Sequence, residues 1–102
     1  MGLKFSQPGA EVFVPDGADL PEALPRVRVL VVAAHQDDVE FMGFPLIRES
    51  YGTGSPSFGA VVMTNGAGSP RSGVYANCTD EQMQEIRLKE QRLAAQVGRY
   101  AA

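Results

Sequence analysis

The residues of this chain best suited to chemistry crowd into one heptapeptide, Ala34-His35-Gln36-Asp37-Asp38-Val39-Glu40. His35 and Asp38 stand three positions apart; on a strand-to-helix turn that spacing aims an imidazole nitrogen and a carboxylate oxygen at one point. Asp37, between them, faces the same cavity without holding an ion. A catalytic zinc takes three N or O protein ligands and keeps one position for water, and a nearby carboxylate takes that water's proton. The same residues also suit a plain structural turn, with Asp37 and Asp38 capping the following helix and offsetting its dipole. Spacing alone leaves both readings open. A magnesium-holding phosphoacceptor domain would need a third Asp at the end of a later strand, and no Asp occurs between Asp38 and Asp80. A phosphate cradle at Gly66 and Gly68 is excluded as well, because Ser69-Pro70-Arg71 follows and no helix starts there.

The elements that must position these residues are legible on either side of them. Residues 27–34 form a near-continuous apolar, β-branched run, the pattern of a strand buried on both faces of a parallel sheet. A helix is predicted from Asp38 toward Ser50, with Pro45 interrupting or shortening it. A Gly/Ser/Pro turn over 51–57 leads to a second buried strand over 58–64, then a long loop over 65–79. The last helix has Thr79 or Asp80 as its N-cap, Gln82 completing a capping box, and Gly98 as its stop. Met83, Ile86, Leu93 and Val97 mark its apolar face. Residues 1–26, with Pro8, Pro15, Pro21 and Pro25, read as an irregular arm holding one short strand at 11–14. The remainder, 27–102, is the N-terminal half of an α/β domain.

Alternating strand and helix implies a Rossmann-like parallel sheet with flanking helices. Two βα units do not complete such a domain, however, because the strand at 27–34 gains a parallel partner on one side only. An apolar edge left open is an aggregation site unless something covers it. The chain is therefore expected to be the front portion of a larger domain, joined by a missing C-terminal segment or by a copy of itself.

Composition bounds the remaining possibilities. In 102 residues, 9 Lys plus Arg stand against 12 Asp plus Glu, a net charge of -3. No basic run marks a nucleic-acid or anionic-membrane surface. A single cysteine, Cys78, excludes an internal disulfide and favours a reducing, cytoplasmic setting. The longest apolar run, 29–34, is far short of a membrane span. The start Met1-Gly2-Leu3-Lys4-Phe5-Ser6 fits a loose myristoylation pattern, and Asn77-Cys78-Thr79 is a glycosylation triplet; both are read as chance.

The heptapeptide at the end of the first strand resembles the His-Pro-Asp-Asp-x-Glu signature of the PIG-L/LmbE-like N-deacetylases. Thr64-Asn65-Gly66-Ala67-Gly68-Ser69 is similar to that family's next loop, and Arg87-Leu88-Lys89-Glu90-Gln91-Arg92-Leu93-Ala94-Ala95 to its Arg-x-x-Glu-x-x-x-Ala-Ala helix. The resemblance runs in order from about residue 27 to 100. Residues 1–26, with Ser69-Pro70-Arg71, Tyr75 and Met83, resemble a bacterial subgroup of uncertain substrate. It implies a zinc-dependent hydrolase that removes an acetyl group from an N-acetylglucosamine-type or related amine. By matching positions, His35 and Asp38 would be metal ligands, Asp37 the general base, and Arg87 a residue lining the sugar site; Asn65, from its place in the loop, could reach substrate or belong to a solvated loop. Glu40 would orient the turn, and Arg71 would belong to a solvated loop.

Two departures stand out. Gln36 occupies the usual proline position, and His35 is the only histidine, whereas the family takes its third zinc ligand from a second histidine motif in its C-terminal half. Cys78 reads as a bystander thiol rather than a substitute. The 102-residue chain alone is thus expected to be inactive, holding part of a site for zinc or another divalent ion whose third protein ligand lies elsewhere. The alternatives are a noncatalytic sugar- or metal-binding module and a structural half-domain that needs a partner segment.

Overall fold

The computed structural model describes residues 3–102, so the Met1-Gly2 start of the myristoylation pattern lies outside the described residues. Strands β1 (Val29–Ala33) and β2 (Phe58–Val62) pair in parallel, Val29 opposite Phe58 and Ala33 opposite Val62. A parallel pair needs a long crossover, here helix α2 (Asp38–Gly52). Helix α3 (Asp80–Val97) follows the long loop, and a one-turn helix α1 (Leu20–Ala23) runs into a 3-10 turn at Leu24–Arg26. The architecture is α/β: a two-strand parallel sheet with flanking helices.

The arm contains no strand at 11–14. Side chains anchor it instead: Glu11 pairs with Arg92 at 2.5 Å, and the Arg92 guanidinium lies 5.3 Å from the centre of the Phe13 ring. Pro45 does not break α2, which continues to Gly52. The carbonyl that Pro45 leaves without its helical partner belongs to Phe41, which is 85% exposed, so water is at hand to satisfy it.

Burial of the strands is one-sided rather than two-sided. Val29, Val31, Ala33, Phe58, Ala60 and Val62 share the face that packs on Val39 and Ile47 of α2 and Ala95 of α3. Leu30 and Val32 point the other way and are each 56% exposed. Both long helices lie on one face because no element among the described residues crosses to the other. A Cβ on Gly43 would stand 3.1 Å from Val31 Cγ2 and 3.5 Å from the Phe58 ring, so this glycine sets how closely α2 approaches the sheet.

The capping box of α3 forms as expected: Gln82 N donates to Thr79 Oγ1 at 3.1 Å, and Thr79 N donates to Gln82 Oε1 at 2.9 Å. Its apolar stripe is not the buried face. Met83 is buried, but Leu93 is 60% and Val97 70% exposed, while Arg87, Gln91 and Ala95 face inward. The inward polar groups are satisfied by partners on α2 and on the turn before it, which helical periodicity does not register.

Past α3 the chain runs beside β2, where Ala101 N donates to Phe58 O (2.7 Å) and Ala60 N to Ala102 O (3.2 Å). The Tyr100 ring meets Phe58 edge-on, with centroids 4.7 Å apart, and its hydroxyl donates to Glu40 at 2.6 Å. Burial, and then the Glu40 carboxylate, drive the Tyr100 pKa far above the usual phenol value. Glu40 also accepts from Gln91 at 3.1 Å, so it ties α2 to α3 and to the C-terminal segment rather than orienting the turn.

Candidate metal site at the end of the first strand

Open α/β sheets gather ligands at the carboxyl ends of their strands, and β1 ends two residues before His35. The backbone turns from β1 into α2 through Asp37, whose φ of 74° is left-handed. Such a conformation disfavours most side chains, and Asp is among the few that tolerate it. Asp37 does not cap α2 with its side chain. Its carboxylate reaches across to α3, where Arg87 Nη2 donates to Asp37 Oδ2 at 3.0 Å and to the Gln36 carbonyl at 3.1 Å. Arg87 Nη1 bonds Glu90 at 3.3 Å. Partial burial works against the Arg87 charge, but the Asp37 hydrogen bond and charge, with Glu90, more than offset it and raise its pKa.

Asp38 folds back over the end of the strand. Its Oδ2 accepts from His35 N at 3.1 Å and lies 3.3 Å from His35 Nδ1. Two donors bound at 2.0–2.1 Å to a tetrahedral zinc stand about 3.3–3.4 Å apart, so the pair already has the separation of two ligands to one ion. The His35 side chain is 69% and that of Asp38 41% exposed, which leaves the pair open to solvent. Among the described residues, no three His, Cys, Asp or Glu side chains gather to hold a metal. Two donors fit; a third is not supplied within 3–102.

Sequence reasoning placed Gln36 in the turn but missed its task. Its side chain is buried, and Nε2 donates to the Thr64 carbonyl at 2.8 Å. Thr64 Oγ1 returns a bond to Ala34 O at 2.8 Å, so the turn after β1 is locked to the end of β2. Gly66, at φ 85°, lets the loop pass over Arg87, since a Cβ there would stand 2.7 Å from Arg87 Cβ and Cγ. Asn65 spends its Oδ1 on the Ala67 amide at 3.0 Å. The Arg87 guanidinium, expected to line a sugar site, is engaged by Asp37, Glu90 and the Gln36 carbonyl.

Arg71 is not part of a solvated loop. It bonds the Ser69 carbonyl, the Ala67 carbonyl (2.9 Å), the Cys78 carbonyl (3.1 Å) and the Asp80 carboxylate (2.6 Å), which clasps the loop onto the start of α3. No local pattern signals such a role, because a lone arginine between proline and serine carries no period. Cys78 is a half-buried free thiol. No protein-family model, no curated protein sequence and no solved structure matches this chain, so the meaning of the site rests on its geometry and on the sequence pattern.

Proposed function

We propose that this chain carries part of the active site of a metal-dependent hydrolase acting on an N-acetylated amine or sugar, in the manner of the PIG-L/LmbE-like deacetylases. The observation that carries the reading is the 3.3 Å separation of His35 Nδ1 and Asp38 Oδ2, with Asp37 on the same turn and its carboxylate held by Arg87. His35 and Asp38 would hold zinc or another divalent ion. A bound ion of this kind supplies Lewis acidity toward water and an amide carbonyl. Asp37 accepts the proton of the attacking water and returns it to the departing amine. Arg87 fixes the Asp37 carboxylate in place for that exchange. A reducing, cytoplasmic setting suits the unpaired Cys78.

The edge of β1 away from β2, which has no strand partner among the described residues, supports a second element of the proposal. We read the sheet as the front of a Rossmann-like domain, with the third ligand arriving on a segment that pairs with the free edge of β1. The half-domain reading is this same assembly without chemistry. The two readings part at Asp37. Native mass spectrometry of the protein as isolated is expected to show the chain with a histidine-containing companion segment and one divalent ion. Asp37→Ala should keep the ion and lower acetate release from N-acetylglucosamine about 10²–10⁴-fold. A chain that stays alone and metal-free in equimolar zinc, or an Asp37→Ala protein that hydrolyses normally, would overturn the enzyme reading.

A further inference from the structure

The end of the sheet opposite His35 carries an open cleft of about 300 Å³, below the loop that enters β2. This volume is at the small end of ligand pockets. Flat, largely apolar groups wall it: the Tyr51 ring, Pro15 and Pro56. Its one cation without a carboxylate partner among the described residues is Arg99, whose guanidinium carbon lies 4.5 Å from the centre of the Tyr51 ring. Asp16 also borders the cavity, but Arg26 grips both its oxygens at 2.7 and 3.1 Å.

The backbone presents Arg99 in an unusual way. At φ 54° it takes the left-handed position that ends α3, where glycine is the common choice. A side chain there is strained, because its Cβ crowds the following carbonyl oxygen. Gly98, one residue earlier, does not take this conformation; it is required because a Cβ would stand 2.5 Å from Tyr100 Cε1. The carboxyl ends of α2 and α3 both border the cavity, and their open carbonyls would repel an anion. Several of these carbonyls are closed: Thr53 N and Gly54 N bond those of Ser50 and Tyr51, and Tyr100 N bonds that of Ala95. Arg99 is the cation lining the site, and the one lining carboxylate, Asp16, is already held by Arg26.

We propose that this cavity binds a small planar aromatic carboxylate, with Arg99 pairing the carboxylate and Tyr51, Pro15 and Pro56 holding the ring. The Gln96 amide and the Ser55 hydroxyl, which line the cavity and make no side-chain hydrogen bond to another side chain, supply further donors. The site is independent of the His35–Asp38 pair, because five-residue strands separate the two ends of the sheet by about 16 Å.

The test is an amide chemical-shift titration of the 102-residue chain with benzoate, and with benzyl alcohol as the uncharged control. Benzoate is expected to give saturable shifts at Gly54, Ser55 and Arg99 in the millimolar range, leaving His35–Asp38 unmoved. Arg99→Gly relieves the backbone while deleting the guanidinium, so the variant keeps the fold and should weaken benzoate about tenfold. Absence of saturable shifts, equal binding of benzyl alcohol, shifts centred on His35–Asp38, or unchanged affinity in Arg99→Gly would each overturn the proposal.

Discussion

Arg87 shows how many local contacts can converge on one side chain. It holds the Asp37 carboxylate, braces the Gln36 carbonyl and is itself covered by the loop at Gly66. Gly66→Ala would place a methyl group 2.7 Å from Arg87 Cβ in a left-handed backbone, so strain and overlap add. We expect a loss of about 2–4 kcal/mol by urea denaturation, together with an altered environment at Asp37 visible in its side-chain NMR shifts. A loss below 1 kcal/mol would mean that the loop moves away freely. At the other end of the chain, Asp16 has its pKa lowered from 3.8 to about 2, chiefly by its hydrogen bond from Arg26, then by the Ala18 amide. Because the folded pKa is the lower one, the unfolded chain binds more protons between these values, and stability falls as pH drops from about 4 to 2. Urea midpoints measured across that range should show a shallower decline in Asp16→Asn than in the parent.

At the scale of the element, α3 is the helix whose limits are written most plainly, and its packing is the least so. Its reciprocal cap places the start at Asp80, and Thr79→Ala should cost about 1 kcal/mol, or about 4–8 °C in Tm for a chain of this size. An unchanged melting temperature would show that the Arg71 clasp on Asp80 fixes that end by itself. Helix α2 has the opposite character. Phe41, Met42 and Phe44 are exposed around a helix whose buried contacts are Val39, Gly43, Ile47 and Ser50. A helix that is apolar on nearly all sides is built to be surrounded, and here it is covered on one side.

The whole molecule is a slab of 41 × 32 × 19 Å, one sheet layer and one helix layer thick. Its radius of gyration of 14.2 Å exceeds the about 13 Å expected for a domain of this length. Among the described residues, the fully buried large side chains are Phe58, Met83 and Val39, while Leu30, Val32 and Met63 stand in water. This asymmetry is measurable by substitution on alternate positions of one strand. Val31→Lys, on the covered face, should cost about 2 kcal/mol or more, because the charge would be forced against α2. Val32→Lys in the isolated chain should stay within about 0.5 kcal/mol. If Val32→Lys is costly in the protein as isolated yet mild in the chain alone, a further layer covers the second face.

Local sequence determined the two strands, the two long helices and the turn that brings His35 and Asp38 together. β-branched runs, a capping box and Gly/Pro punctuation act over a few residues, so their signals are complete within short windows. Local pattern could not show that both helices share one face, that Pro45 is tolerated, or that polar Arg87 and Gln91 point inward while Leu93 and Val97 do not. Those outcomes depend on contacts between residues about 50 apart, such as Arg87 with Asp37 and Gln91 with Glu40. Such pairings exist only once the crossover has brought α3 onto the end of β1, where burial makes each polar group find a partner.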